Sequence, residues 1–286
     1  MVSWPSYLHR VSHHWLQVSL CIALLSMMVH VVLGQTTTYN DPPGGYNGYT
    51  TIYDSGGNTG NYGNNENQIY NLNCNSGRTV VLFFWSPFTV VSGDVLSIYD
   101  GAQGTTQTQI CGPCTSDQLT DKQKPLGMTG SSAVITFTSD GSGVAAGYKF
   151  DFQCADTSTA LSGTIYDSGG KNGNIASPAD YFQQIICPIG QVISLTFTMI
   201  NLPGTPPQCT AAHLKPVYLQ ANSFFFNGLG TTGKYCGTPT LPGPATSPSN
   251  RALLYYQGTG SSPGYALDYK CQDENPVFGT LCDDGM

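Results

Sequence analysis

Charge is scarce in this chain. Only 9% of its 286 residues are charged, with 10 Lys and Arg against 17 Asp and Glu, a formal net charge of −7. No basic cluster exists to track a phosphate backbone, so nucleic acid is excluded as a partner. Histidine is nearly confined to the N-terminus: His9, His13, His14 and His30 leave His213 as the only other one. One histidine cannot build a zinc centre, no Ser-His-Asp set suggests itself, and His213 reads as a surface loop residue. There is no Asn-x-Ser/Thr acceptor, so N-linked glycans do not shield this surface. Long apolar runs are also missing, apart from residues 15–33, which Arg10 precedes and Gln17 and His30 interrupt. Residues 1–34 therefore read as a secretory signal cleaved after Gly34, with a retained anchor as the alternative. No other segment is apolar enough to span a bilayer.

Glycine (34), proline (18), tyrosine (17) and cysteine (10) are plentiful instead. Cys21 lies in the leader; the nine cysteines beyond it indicate an oxidising compartment and a disulfide framework with one thiol left over.

The most informative feature is a repeat. TIYDSGGNTGN, residues 51–61, returns as TIYDSGGKNGN at residues 164–174, and Cys74 returns as Cys187 at the same offset. Cys111-Gly112 has a counterpart in Cys236-Gly237. The closing pattern Gly147-Tyr148, Asp151-Phe152, Cys154 returns as Gly264-Tyr265, Asp268-Tyr269, Cys271. Any function must therefore be explained for two copies. Short runs rich in Val, Ile, Phe, Tyr and Thr alternate with Gly, Asn, Asp and Pro, which predicts an all-β chain. Strands are expected at 79–85, 95–99, 133–138 and 148–152, then at 192–199, 216–220, 252–256 and 265–269. Leu82, Phe84, Ile135 and Phe137 sit at the period-two positions of a half-buried sheet. The fold class is all-β, two disulfide-stabilised antiparallel β-sandwiches in tandem. The units span 51–155 and 164–272. A flexible Gly/Pro/Asn/Thr-rich lead-in covers 35–50, a short connector 156–163 and an acidic tail 273–286.

The motifs of the first unit resemble those of a CUB domain. Asp94-Val95-Leu96-Ser97-Ile98-Tyr99-Asp100-Gly101 is similar to the family's D-x-L-x-I-x-D-G segment, and Ile110-Cys111-Gly112 to its F-C-G step. Ser131-Ser132, then Phe137-Thr138-Ser139-Asp140 and Gly147-Tyr148, resemble its closing S-S, F-x-S-D and G-F elements. The second unit is more diverged but keeps Ser177-Pro178, Tyr181, Cys187, Cys209 and Cys236-Gly237. The resemblance implies a jelly-roll-type β-sandwich of the extracellular space.

It also implies a calcium ion, held in many CUB domains by one Glu and two Asp and used to recruit a partner's lysine. Oxygen ligands suit a hard cation. Asp94 and Asp140 fall on the two Asp positions, while Val91 stands where the Glu belongs, so any Ca²⁺ site is weak and confined to the first unit. Cys209 and Cys236 match the family's second cysteine pair. Repeat equivalence pairs Cys74 with Cys154 and Cys187 with Cys271. Cys111, Cys114 and Cys282 remain. Cys111 to Cys114 spell C-G-P-C, but no βαβ setting accompanies them, so a local disulfide or a link from one of them to Cys282 is the reading. Unpaired, Cys282 would be free to join chains into a disulfide-linked oligomer.

Two copies of Asp-Ser-Gly, at Asp54 and Asp167, invite a rival: a duplicated aspartic-type hydrolase whose two carboxylates share a proton. Each motif, however, follows Tyr, precedes Gly and opens its unit with no strand or flap before it. A tight turn with local pairing is the plainer reading. The Phe224-Phe225-Phe226 run is a candidate contact patch if exposed. Together these readings predict a secreted, non-catalytic binding or adhesion protein that recognises an extracellular protein or glycan. A disulfide-crosslinked matrix or coat component is the third alternative.

Overall fold

A computed structural model describes residues 34–43, 48–104, 107–111, 125–175, 179–219, 233–238 and 240–274. The first unit supplies β1 (Gln35–Tyr39), β2 (Tyr49–Tyr53), β3 (Asn67–Asn73), β4 (Arg78–Thr89), β5 (Val95–Asp100), β6 (Gln107–Cys111), β7 (Pro125–Gly127), β8 (Ser132–Thr138) and β9 (Gly147–Ser158). The second supplies β10 (Ser162–Tyr166), β11 (Ala179–Ile186), β12 (Gln191–Asn201), β13 (Ala212–Tyr218), β14 (Ala245–Thr246), β15 (Arg251–Gly258) and β16 (Gly264–Asp273). The chain is all-β and stapled by disulfides, with curled sheets of the CUB-like kind.

Alternation builds the two main cores. In β4, Val80, Leu82 and Phe84 point inward with Phe150 and Phe152 of β9, against Leu72, Leu96, Ile135 and Phe137 of the sheet β1-β3-β8-β5-β6. In the second unit Tyr181, Leu214, Leu254 and Tyr256 meet Ile193, Leu195, Tyr265 and Leu267 of the sheet β10-β16-β12-β14. Among the described residues, three disulfides close the frame: Cys74–Cys154, Cys187–Cys271 and Cys209–Cys236, spanning 80, 84 and 27 residues. Loops of that length restrict the unfolded chain by roughly 3–5 kcal/mol each in the loop-entropy model.

Residues 35–50, read from composition as a flexible lead-in, contribute β1, which pairs in parallel with β3, and the first two residues of β2. The Thr-rich run QTTTY carries β propensity that the surrounding Gly and Pro obscure.

The units are joined by more than a connector. β9 is twelve residues long, and β2 covers its edge only from Lys149 to Gln153. Beyond that point Asp156, Thr157 and Ser158 pair in parallel with Gln183, Gln184 and Ile185 of β11. The open edge of one unit is thus satisfied by the other, and a single sheet runs β13-β15-β11-β9-β4-β7. On the face of this sheet turned away from the two main cores, Val81, Ala155, Phe182, Val217, Leu253 and Tyr255 form a third core. This is why Ala252 to Tyr256 is apolar at every position: alternate residues face the unit's own core and the junction. Buried Arg251 crosses the junction and donates to the carbonyls of Gly127 (2.6 Å) and Met128 (2.9 Å), while Gln184 Nε2 donates to Met128 at 3.1 Å.

Candidate functional site

Each unit opens on a buried carboxylate that clasps its closing strand. Asp54 accepts the N–H of Gly56 (2.7 Å) and the N–H of Tyr148, second residue of β9 (2.7 Å). Asp167 accepts the N–H of Gly169 (2.7 Å) and the N–H of Tyr265, second residue of β16 (2.9 Å). Gly147 and Gly264, at φ 69° and 93°, let the backbone come this close; a Cβ on either would overlap the carboxylate Oδ2. The repeated Asp-Ser-Gly and the repeated Gly-Tyr are therefore two halves of one device. Burial raises both carboxyl pKa values, and the backbone N–H bonds hold the rise back. Two aspartates of a hydrolase would share one proton between facing oxygens; these are each committed within their own unit.

Asp94 and Asp140 are brought together. Asp94 is fully buried in the β4–β5 loop. Its Oδ1 accepts the Asp140 N–H (2.8 Å) and its Oδ2 the Tyr62 hydroxyl (2.5 Å). That hydroxyl also accepts the Val91 N–H at 3.1 Å. Burial, then the bond to Asp94, lifts the Tyr62 pKa to about 12. Asp140 is exposed and accepts the Ser142 N–H at 2.7 Å. The third position of the family set is Val91, which packs against the core, and nearby Glu66 is engaged with Gly63 N–H (2.6 Å), Gln68 Nε2 (2.7 Å) and Ser55. Calcium takes six to eight oxygens, and among the described residues no group of three or more His, Cys, Asp or Glu is placed to hold a metal. This donor set does not fit a resident calcium ion. Cys111 ends β6; Cys114, Cys282 and Phe224 to Phe226 lie outside the described residues.

The junction holds a feature that sequence reasoning missed. On the outer face of the shared sheet lies a cavity of ≈ 140 Å³ lined by residues of both units. From the first unit come Phe83 and Trp85 of β4, ring centroids 4.7 Å apart, and Asp151 and Gln153 of β9. From the second come Asp180 and Phe182 of β11, Tyr255 stacked on Phe182 at 4.9 Å, and Lys234. Asp151 accepts from Thr51 Oγ1 and Trp85 Nε1, both at 2.6 Å. Asp180 is reached by solvent but set within the concavity; burial and then Asp151 raise its pKa, against hydrogen bonds from Tyr255 and Gln257. His213, read from the sequence as a surface loop residue, is a β13 residue and only 5% exposed. Its ring lies edge-on to that of Tyr255, centroids 5.7 Å apart, and it lines the cavity. Burial first, then Lys234 and Lys215, push its pKa down to about 4, so it is neutral at pH 7. No one unit reveals this site, because it exists only in the register of β9 against β11.

The architecture is a disulfide-framed, all-β one. Residues 46–152, which hold most of the first unit, match the CUB domain family, and the second unit repeats the first unit's sequence landmarks. Rat cubilin is 24% identical over 205 residues, 66% of this chain, which spans 5% of that protein's length. Among solved structures, the CUB1-EGF-CUB2 domain of human MASP-1/3 is 17% identical over 78% of this chain and 99% of its own, at a TM-score of 0.33. The MASP-1 CUB2 domain bound to Ca²⁺ is 20% identical over 40% of this chain and 96% of its own, at a TM-score of 0.32. Among the described residues, no helix is long and apolar enough to cross a membrane.

Proposed function

We propose that this chain is a secreted, non-catalytic recognition protein that docks an extracellular protein or glycan through tandem CUB-type units. The observation that carries the reading is the clasp. The two carboxylates that might have formed a catalytic pair each bind backbone N–H groups of their own unit, inside a CUB frame. Three disulfides agree with an oxidising compartment. The test is a binding screen of the purified protein against extracellular proteins and glycans, paired with an assay for pepstatin-sensitive peptide hydrolysis. Saturable binding without turnover supports the reading; hydrolysis abolished by Asp54→Asn overturns it.

One MASP-1 CUB2 structure contains Ca²⁺, but here Val91 stands where the resemblance puts a ligand, and both Asp94 oxygens already accept hydrogen bonds, from Tyr62 and Asp140. Recognition by this chain is on this reading independent of calcium. Calorimetric titration should show no saturable binding at millimolar calcium; binding removed by Asp140→Asn would refute that.

A further inference from the structure

We propose that the junction cavity binds one neutral sugar ring, the terminal monosaccharide of an extracellular glycan. Size sets the first limit. A volume of ≈ 140 Å³ is the space of about five water molecules at ~30 Å³ each, room for a single pyranose and not for a chain of them. Charge sets the second. Asp151 and Asp180 line the cavity, and so does Lys234. A cationic ligand meets the ammonium and an anionic one meets the carboxylates. An uncharged polyol donates to the acids and accepts from the lysine, so it alone is opposed by neither sign.

The walls set the third limit. Aromatic rings come from both units, Phe83 with Trp85 at 4.7 Å and Phe182 with Tyr255 at 4.9 Å. A pyranose carries hydroxyls around its rim and C–H groups on its faces, and the electron-rich face of an aromatic ring attracts such C–H groups. Trp85 is 38% exposed, and its indole N–H is committed to Asp151 at 2.6 Å, so the ring is held in place with surface left to offer. One acceptor also lacks a donor. Gln153 Nε2 donates across the seam to the Asp180 carbonyl at 3.3 Å, which orients the amide, and its buried Oε1 has no hydrogen-bond partner. A sugar hydroxyl supplies one. The proposal rests on the recognition reading and narrows it, at this seam, to a glycan.

Trp85 is the only tryptophan beyond residue 34. Its indole N–H resonance, identified by its loss in Trp85→Phe, therefore reads the cavity while methyl glycosides of glucose, galactose, mannose, fucose and N-acetylglucosamine are titrated to tens of millimolar. A saturable shift is expected with at least one of them, at a higher affinity than with its epimers. Asp151→Asn and Gln153→Met should each weaken that affinity at least about threefold. Amide spectra of each variant report folding in the same sample, and the comparison of epimers on the wild type needs no variant. Glycerol, N-acetyl-lysinamide, N-acetyl-aspartamide and N-acetyl-glutaminamide are the controls. No shift with any glycoside, a shift matched by glycerol, tighter binding of a charged or amide probe, or affinities unchanged in both folded variants would each overturn the proposal. Saturable binding of an extracellular protein with a silent Trp85 would sink this site and leave the recognition reading standing. Hydrolysis abolished by Asp54→Asn would sink the recognition reading without moving this resonance.

Discussion

Replacing Gly147 by Ala should destabilise the protein severely, and Asp54→Ala should remove most of that cost. Gly147 sits at φ 69°, where an L side chain is strained by about 1–2 kcal/mol. Its new Cβ would also overlap Asp54 Oδ2 and drive the carboxylate off the Tyr148 and Gly56 N–H groups. Hydrogen bonds to a charged group are worth roughly 1.5–3 kcal/mol each, less here because burial already raises the Asp54 pKa. The single variant should therefore lose about 4 kcal/mol, and Asp54→Ala about 3 kcal/mol. With the carboxylate gone, Gly147→Ala should cost only the backbone strain, about 1–2 kcal/mol. The double variant then falls short of additivity by about 2–3 kcal/mol, far beyond the few tenths of independent sites. Urea unfolding of the four proteins measures this. Additive losses would refute the clasp, and the same cycle on Gly264 and Asp167 should reproduce it in the second unit.

His213 makes stability depend on acid. Its folded pKa of about 4 lies below the ordinary 6.5, so the unfolded chain takes up the proton first. Its contribution is intact above pH 6.5 and lost as pH falls toward 4, by about 3 kcal/mol, whereas the raised Asp54, Asp167 and Asp180 act in the opposite sense. His213→Gln should flatten that part of the wild-type profile in urea titrations at several pH values; an unchanged profile contradicts the burial argument. Arg251→Met strips the junction of donors to the Gly127 and Met128 carbonyls and should cost about 2–4 kcal/mol. Calorimetry should show one cooperative transition in the wild type resolving toward two; a single unshifted transition would show that Arg251 does not couple the units.

Where burial follows one face, the sequence was a good guide. The strands anticipated at 79–85, 95–99, 133–138 and 265–269 all lie inside β4, β5, β8 and β16, because each presents apolar residues to its own unit's core at period two. β3 was not among the expected strands: Asn67, Asn71 and Asn73, a residue type depleted in strands, occupy the face opposite Tyr70 and Leu72. β13 was expected to begin at Pro216 but begins at Ala212. His213, read as a loop residue, and Lys215 are both buried within that strand, with His213 edge-on to Tyr255 of β15. The clasp was half legible. Both its motifs stood out as repeated landmarks, yet nothing local says that an aspartate pairs with a strand start 94 residues later.

The junction changes what duplication means for binding. Two modules on a free tether gain avidity through effective concentration, set by linker length. Here residues 156–158 are sheet, Arg251 is anchored in the opposite unit and a third core is closed between them. Such units do not search independently, and their relative orientation is fixed before a partner arrives. A ligand that spans both would then meet a composite, preorganised surface and lose less freedom on binding than one gathering two loose domains. The cavity at the seam is lined by residues of both units, so it is part of that composite surface. A variant that uncouples the units, such as Arg251→Met, should therefore weaken the binding of a ligand that contacts both units, measured by titration of wild type and variant side by side, and leave a ligand of one unit unaffected.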